Sequence, residues 1–167
     1  MKKIVFITLS LLLAVSFWNC EKDDICAEGT PTTPRVIIEF YDATNPTVLK
    51  NVTNLKVVET SLTDGFGFTG VNKIQVPLRT NSEETILNFI QNGNNSDTSD
   101  DNTDELIFNY GTQEVYISRA CGYKMTFQLD AIDGVVATPD GSNWIQNITV
   151  TQPNIETENE VHVKIYF

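Results

Sequence analysis

Basic residues are scarce in this chain. Its 167 residues include 11 Lys and Arg against 22 Asp and Glu, which gives a formal net charge of -11. Nucleic-acid backbones are bound by clustered Lys and Arg, so this balance argues against a nucleic-acid partner. An apolar content of 41% is too high for a disordered chain. The length suits one buried core rather than two domains with a cleft between them.

Residues suited to catalysis are equally few. The only histidine, His162, lies between Val161 and Val163 in an alternating pattern, so it is expected to face solvent on a strand. The sequence has no phosphate-binding loop and no Gly-x-Ser-x-Gly motif. No nucleophile arrangement stands out either. We therefore expect a protein that is not an enzyme and that carries no cofactor.

No apolar run reaches the roughly 20 residues that a membrane-spanning helix needs. The longest run, Ile4 to Val15, follows the cationic start Met1-Lys2-Lys3. A basic start followed by a short apolar segment is the plan of a secretory signal peptide. The sequence therefore predicts an exported protein.

The end of this signal resembles a bacterial lipobox, in which a cysteine is acylated and the chain is cut just before it. The run Ser16-Phe17-Trp18-Asn19-Cys20 places Cys20 in that position, although Phe17 and Asn19 depart from the usual leucine and small residue. Ordinary cleavage after Ala14-Val15-Ser16 is the alternative. We expect lipidation at Cys20 because of the residues that follow it, and two acyl chains would hold the protein firmly on a membrane.

The residues after Cys20 support the same interpretation. Glu21-Lys22-Asp23-Asp24 resembles the surface-export tether of Bacteroidota lipoproteins, with a solvated linker as the alternative. We predict a signal peptide over residues 1–19, a lipidated tether over 20–34 and a β domain over 35–167. The predicted location is the outer membrane, facing the periplasm or the cell surface. The mature chain would keep 9 basic and 22 acidic residues, a net charge of -13.

Three cysteines are an odd number for an exported protein, and lipidation of Cys20 would account for one of them. Cys26 and Cys121 remain, an even pair in an oxidising compartment. A disulfide between them would close a loop of 94 intervening residues. A metal or redox site is the alternative, but the sequence has no C-x-x-C pair and a single histidine.

Short segments rich in β-branched and aromatic residues fill the rest of the chain, with turn residues between them. Pro77 marks one segment as an edge strand, and Gly111-Thr112 is expected to form a hairpin turn. Residues 82–91 fit a strand or a helix, and a strand is favoured because every neighbour is one. We predict an all-β fold: an antiparallel β-sandwich of eight to ten short strands, of which the immunoglobulin-like form is one option. A closed barrel is the alternative. The segments are 35–41, 55–60, 73–78, 82–91, 106–110, 114–119, 123–129, 132–137, 144–150 and 161–167.

An acidic loop, Asn94 to Glu105, is the weak candidate for a metal site. Hard cations such as Ca²⁺ prefer several oxygen ligands from a flexible loop. The spacing does not fit the twelve-residue calcium loop, so a solvated loop is favoured. Phe66 and Phe68 lie in a glycine-rich segment, where they could bind a sugar or partner but more often pack onto the core. The loop's candidate ligands are Asp97, Asp100, Asp101 and Asp104.

Several runs resemble a group of uncharacterised Bacteroidota lipoproteins, the domain-of-unknown-function family 6452. They include Cys20-Glu21-Lys22-Asp23-Asp24-Ile25-Cys26, Ser118-Arg119-Ala120-Cys121-Gly122-Tyr123-Lys124 and Val161-His162-Val163-Lys164-Ile165. The resemblance implies a tethered envelope protein and supplies no catalytic residues. We expect a lipid-anchored binding or structural β-sandwich whose protein or glycan partner is unknown. A calcium-assisted or acidic-site glycan-binding or glycan-processing module is the alternative.

Overall fold

The computed structural model describes residues 3–5, 8 and 25–167. Most of the predicted signal peptide, Cys20 and residues 21–24 lie outside the described residues. Among the described residues, no helix has the length and apolar character needed to cross a membrane. The chain divides into two compact units, one of Met1–Thr30 and Tyr116–Tyr123, the other of Pro31–Val115 and Lys124–Phe167.

The described chain forms eleven strands, one more than the upper end of the predicted range of eight to ten. They are β1 (Val36–Tyr41), β2 (Leu55–Glu59), β3 (Phe66–Phe68), β4 (Lys73–Val76), β5 (Glu84–Gln91), β6 (Asn102–Ser118), β7 (Gly122–Leu129), β8 (Val135–Ala137), β9 (Asn147–Val150), β10 (Asn154–Ile155) and β11 (Val163–Tyr166). Residues 84–91 are a strand and not a helix, which settles the ambiguity of that segment.

Two sheets pack face to face in the larger unit, which confirms the predicted β-sandwich. One sheet has the order β4-β1-β11-β9, and the other has the order β10-β7-β6-β5-β2-β3 with β8 paired to β6. The pairing of β1 with β11 is parallel, with Ile38 opposite Val163, whereas β1 with β4 and β9 with β11 are antiparallel. Parallel neighbours need a long connection, and here the connection is the chain from β2 to β10. Pro77 follows β4, an edge strand, as predicted.

The core lies between the two sheets and is built from alternate residues. In β1, Val36, Ile38 and Phe40 are fully buried and point inward, while Glu39 and Tyr41 are half-buried on the other face. The same alternation supplies inward residues from strands of both sheets, which is why the sheets pack together. These residues include Leu55, Val57, Ile74, Val76, Leu87, Phe89, Leu106, Phe108, Val163 and Ile165.

The predicted hairpin turn at Gly111-Thr112 is wrong. Residues 102–118 form one strand of 17 residues, and Gly111 is not among the glycines with positive φ. The turn lies at residues 119–121, directly before Gly122, whose φ is 69°. That left-handed conformation is one that glycine adopts without steric cost. The start of β6 at Asn102 also takes the end of the predicted polar loop into the sheet.

Candidate binding pocket

An open pocket of about 340 Å³ lies at one edge of the sandwich, where edge strand β4 faces β2, β3 and β5. Its floor is made of inward-facing residues from both sheets, and its mouth carries polar side chains. The volume falls in the range of roughly 300–1,000 Å³ that is typical of small-molecule sites. The floor residues are Val57, Val76, Leu78, Thr85 and Leu87.

An ion pair closes one side of the mouth. Glu59 ends β2 on the same face as Leu55 and Val57, so strand alternation directs its carboxylate to the end of the core. One guanidinium nitrogen of Arg79 lies 2.8 Å from Glu59 Oε1 and donates to Ser61 Oγ at 2.7 Å. The Ser61 hydroxyl donates in turn to Glu59 Oε2. The hydrogen bond from Ser61 is the main cause that lowers the pKa of Glu59 below its ordinary value, and Arg79 lowers it further. The carboxylate therefore stays charged.

The Arg79 backbone is fixed by a ring of three hydrogen bonds. The Arg79 amide donates to Thr85 Oγ1 at 2.9 Å, and the Tyr110 hydroxyl donates to the Arg79 carbonyl at 2.8 Å. Tyr110 has one proton to give, so the Thr85 hydroxyl donates to Tyr110 Oη to complete the ring. Thr85 and Tyr110 are buried, and burial raises the pKa of Tyr110. These bonds to buried side chains therefore fix the Arg79 backbone at the mouth of the pocket.

The opposite side of the mouth is apolar and exposed. Leu62 is 60% exposed and Phe66 is 52% exposed, and both line the pocket. Gly65 lets the loop pass close to β2, because a Cβ at this position would lie 2.2 Å from the Val57 carbonyl oxygen. The apolar mouth thus depends on a glycine at residue 65. Large apolar side chains left in solvent beside a cavity are typical of a binding surface.

Sequence reasoning found one of these residues and missed the others. Phe68 packs against the core as expected, but the same expectation is wrong for Phe66, which is 52% exposed and lines the pocket. Glu59, Ser61 and Arg79 belong to no recognisable motif, and acids are too common in this chain for Glu59 to stand out. The alternation that places Glu59 on the core face was visible in the sequence and could have identified it as an inward-directed acid.

The acidic loop does not assemble a metal site. Among the described residues, no three Asp, Glu, His or Cys side chains are grouped to hold a metal ion. Asp97 Oδ1 accepts hydrogen bonds from the Ser99 amide and hydroxyl, which lower its pKa. Asp100 and Asp101 are exposed, while Asp104 is fully buried in β6. The candidate ligands therefore do not share one environment, because Asp100 and Asp101 face solvent while Asp104 lies inside the sandwich.

Asp104 has a structural role. Its Oδ2 accepts from the Ile145 amide at 2.8 Å and its Oδ1 from the Trp144 amide at 3.3 Å. The Trp144 indole donates to the Phe89 carbonyl of β5 at 3.0 Å. These bonds fix the segment that leads into β9, so they join the chain of one sheet to the strands of the other. Burial raises the pKa of Asp104, and the two amides oppose that rise.

His162 does not face solvent, contrary to the expectation from alternation. It is 1% exposed, and its Nδ1 accepts the Ile37 amide at 2.9 Å while its own amide donates to the Ile37 carbonyl at 3.0 Å. The imidazole thus extends the pairing of β1 beyond the first residue of β11. Burial lowers its pKa, and the neutral ring with a bare Nδ1 is the form that accepts this bond.

The smaller unit contains a Cys26–Cys121 disulfide, the pair that the cysteine count singled out. Cys121 lies in the turn between β6 and β7, and its amide donates to Ser118 Oγ at 3.1 Å. The bond ties the described start of the chain to this turn.

The fold and the pocket define an all-β sandwich domain with an open site at one edge. A family model described as a family of unknown function, DUF6452, matches residues 49–167, so the chain belongs to that family. The match covers neither Cys20 nor the tether, and lipidation and a Bacteroidota origin stay predictions. No curated protein and no solved structure shows a significant match.

Proposed function

We propose that this chain is a lipid-anchored protein of the cell envelope whose β-sandwich is a non-enzymatic binding module. The edge pocket is its binding site. The observation that carries this proposal is an open apolar cavity with exposed Leu62 and Phe66 at its mouth. Apolar pockets with a few fixed polar groups are the usual form of ligand sites in proteins.

The ligand class follows from the lining. The floor accepts an apolar body, and the mouth offers the Glu59 and Asp64 carboxylates against the single Arg79 guanidinium. Arg79 is already paired with Glu59. An amphiphile whose polar end donates hydrogen bonds or carries positive charge fits this mouth better than an anion does.

Binding is tested with the neutral dye N-phenyl-1-naphthylamine, whose fluorescence rises in apolar surroundings. We expect saturable binding by the mature chain. The double substitution Leu62→Ser with Phe66→Ser should weaken it about tenfold, since loss of two partly buried apolar contacts costs about 1–2 kcal/mol. Ile132→Ser with Val136→Ser removes two exposed apolar residues that do not line the pocket, and it should change nothing. Equal weakening by both pairs would contradict the proposed site.

Export and anchoring rest on the signal peptide, the cysteine at its end and the disulfide, because disulfides persist in oxidising compartments. The test is membrane flotation of the full chain expressed in a bacterium with an outer membrane. The native chain should float with membranes, and Cys20→Ala should release it to the soluble fraction. A Cys20→Ala chain that still floats would contradict acylation at this residue.

A further inference from the structure

Three large apolar side chains are exposed together in the smaller unit. Ile25 is 84% exposed, Tyr116 is 55% exposed and Tyr123 is 62% exposed. The two tyrosine rings meet edge to face with centroids 5.2 Å apart. Ile25 also lines an open groove with Tyr116, Ile117 and Ala120. We call Ile25, Tyr116 and Tyr123 the tyrosine knob.

The disulfide shortens the path from the knob to the predicted anchor. Along the chain, Tyr116 lies 96 residues after Cys20, but Cys26 is bonded to Cys121 within the turn that the two tyrosines flank. Five residues separate Cys20 from Cys26. A chain spans at most about 3.6 Å per residue, so the six residue steps from Cys20 to Cys26 span no more than about 20 Å. The bond therefore keeps the knob close to whatever holds Cys20.

We infer that the tyrosine knob inserts into the headgroup layer of the membrane that anchors the protein. This inference rests on the proposed acylation of Cys20. The aromatic ring and hydroxyl of tyrosine suit the boundary between lipid and water, where tyrosine is enriched in membrane proteins. Ile25 adds an apolar side chain only five residues after the acylated cysteine.

A bilayer fits this surface better than a protein partner does. A short tether gives the knob a millimolar effective concentration at the membrane surface, so weak apolar contacts suffice. In the two chain segments that carry the knob, residues 20–30 and 116–124, the acids Glu21, Asp23, Asp24 and Glu28 outnumber the bases Lys22, Arg119 and Lys124. These acids disfavour binding to strongly anionic headgroups, so the lipid surface that suits the knob is zwitterionic.

The experiment places a tryptophan reporter in the knob of the acylated full-length protein. Tyr123→Trp is compared with Ile132→Trp. Ile132 is an apolar residue outside the knob and is 98% exposed. Both are reconstituted into phosphatidylcholine vesicles with and without brominated acyl chains. The native chain supplies the background, since Trp144 is common to all three proteins. We expect Tyr123→Trp to shift to shorter wavelength and to be quenched by bromine, and Ile132→Trp to do neither.

Equal behaviour of the two reporters in protein that floats with the vesicles would overturn the docking of the knob and leave the anchor intact. Failure of the native chain to float would overturn the anchor and the knob together. Cys26→Ser with Cys121→Ser, made in the Tyr123→Trp chain, tests the coupling. Quenching should then fall towards that of Ile132→Trp, and undiminished quenching would show that the disulfide does not hold the knob at the membrane.

Discussion

At the scale of single residues, Asp104 shows how a polar group becomes part of a core. Its carboxylate is fully buried, yet it accepts two backbone amides that would otherwise lack partners. A buried donor left without an acceptor costs about 1–3 kcal/mol. The residue therefore stabilises the connection into β9 through its oxygens rather than through its charge.

Asp104→Ala should lower the free energy of unfolding by about 2–4 kcal/mol, because both amides lose their acceptor. Asp104→Asn should cost less, since its one carbonyl oxygen still accepts. The check is urea denaturation followed by Trp144 fluorescence. Asp101→Ala, at an exposed position, is the control and should change stability by no more than about 0.5 kcal/mol. A loss for Asp101→Ala as large as that for Asp104→Ala would refute this role.

His162 should make stability depend on pH. Burial, above all, lowers its folded-state pKa from the ordinary 6.5, and Glu160 and Glu158 oppose that shift only in part. The unfolded chain therefore binds the proton more readily, so the His162 contribution is complete above about pH 6.5 and is lost as pH falls towards the folded-state pKa. Thermal unfolding of the native chain between pH 7.5 and 5 should show this loss.

A His162→Asn chain isolates that effect. Asparagine keeps an acceptor for the Ile37 amide and does not titrate, so its melting temperature should change less over the same pH range. Carboxylates with lowered pKa values, such as Glu39 and Glu59, lose their contribution only at more acid pH. Parallel pH profiles for the two chains would show that His162 is not the titrating group.

At the scale of elements, the disulfide is the feature with the largest expected effect on stability. It closes a loop with a sequence separation of 95 residues. In the chain-entropy model such a bond stabilises the fold by about 4–5 kcal/mol, as an upper estimate. Reduction, or Cys26→Ser with Cys121→Ser, should lower the urea midpoint of the soluble domain accordingly.

Mass spectrometry with and without reductant gives the thiol count, and two free thiols in the native protein would contradict the pairing.

The elements also show what alternation can and cannot predict. Segments such as Lys73–Val76 were evident because one side of each strand meets the core. The hairpin at Gly111 was not there, because glycine and threonine both fit extended backbone, and Gly122 provides the left-handed turn instead. His162 was misplaced because its imidazole bonds the Ile37 amide and lies beside the segment from Thr157 to Glu160, whereas alternation predicts only the side of the strand on which a residue lies.

The pocket was largely beyond sequence reasoning for a related reason. Its wall is formed by β4 from one sheet and by β2 and β5 from the other. Which strands of two sheets face each other depends on topology, and local pattern carries no information about it. Phe66 alone was noticed, because an aromatic residue between glycines is unusual.

At the scale of the whole molecule, the pairing of β1 with β11 governs folding. Ile38 lies opposite Val163, so this sheet closes only when the two ends of the domain meet. Two-state proteins dominated by such distant contacts fold in milliseconds to seconds. Stopped-flow refolding of the oxidised domain, monitored by Trp144 fluorescence, should fall in that range. Refolding within about 100 microseconds is typical of proteins dominated by local contacts, and it would contradict a folding rate governed by the β1–β11 pairing.

Under the proposed acylation of Cys20, the Cys26–Cys121 bond also determines how the protein bears mechanical force. A pull at Cys20 travels down the tether and divides at Cys26, where one path continues along the chain to β1 and the other crosses the disulfide to the turn after β6. The first path follows the backbone from Ala27 to Arg35, which pairs with Glu158, and the second enters the turn directly, so tension is divided between the two. Forced unfolding depends on the barrier along the strained path. In a membrane-tethered chain, shear would therefore load the turn after β6 together with β1 rather than β1 alone.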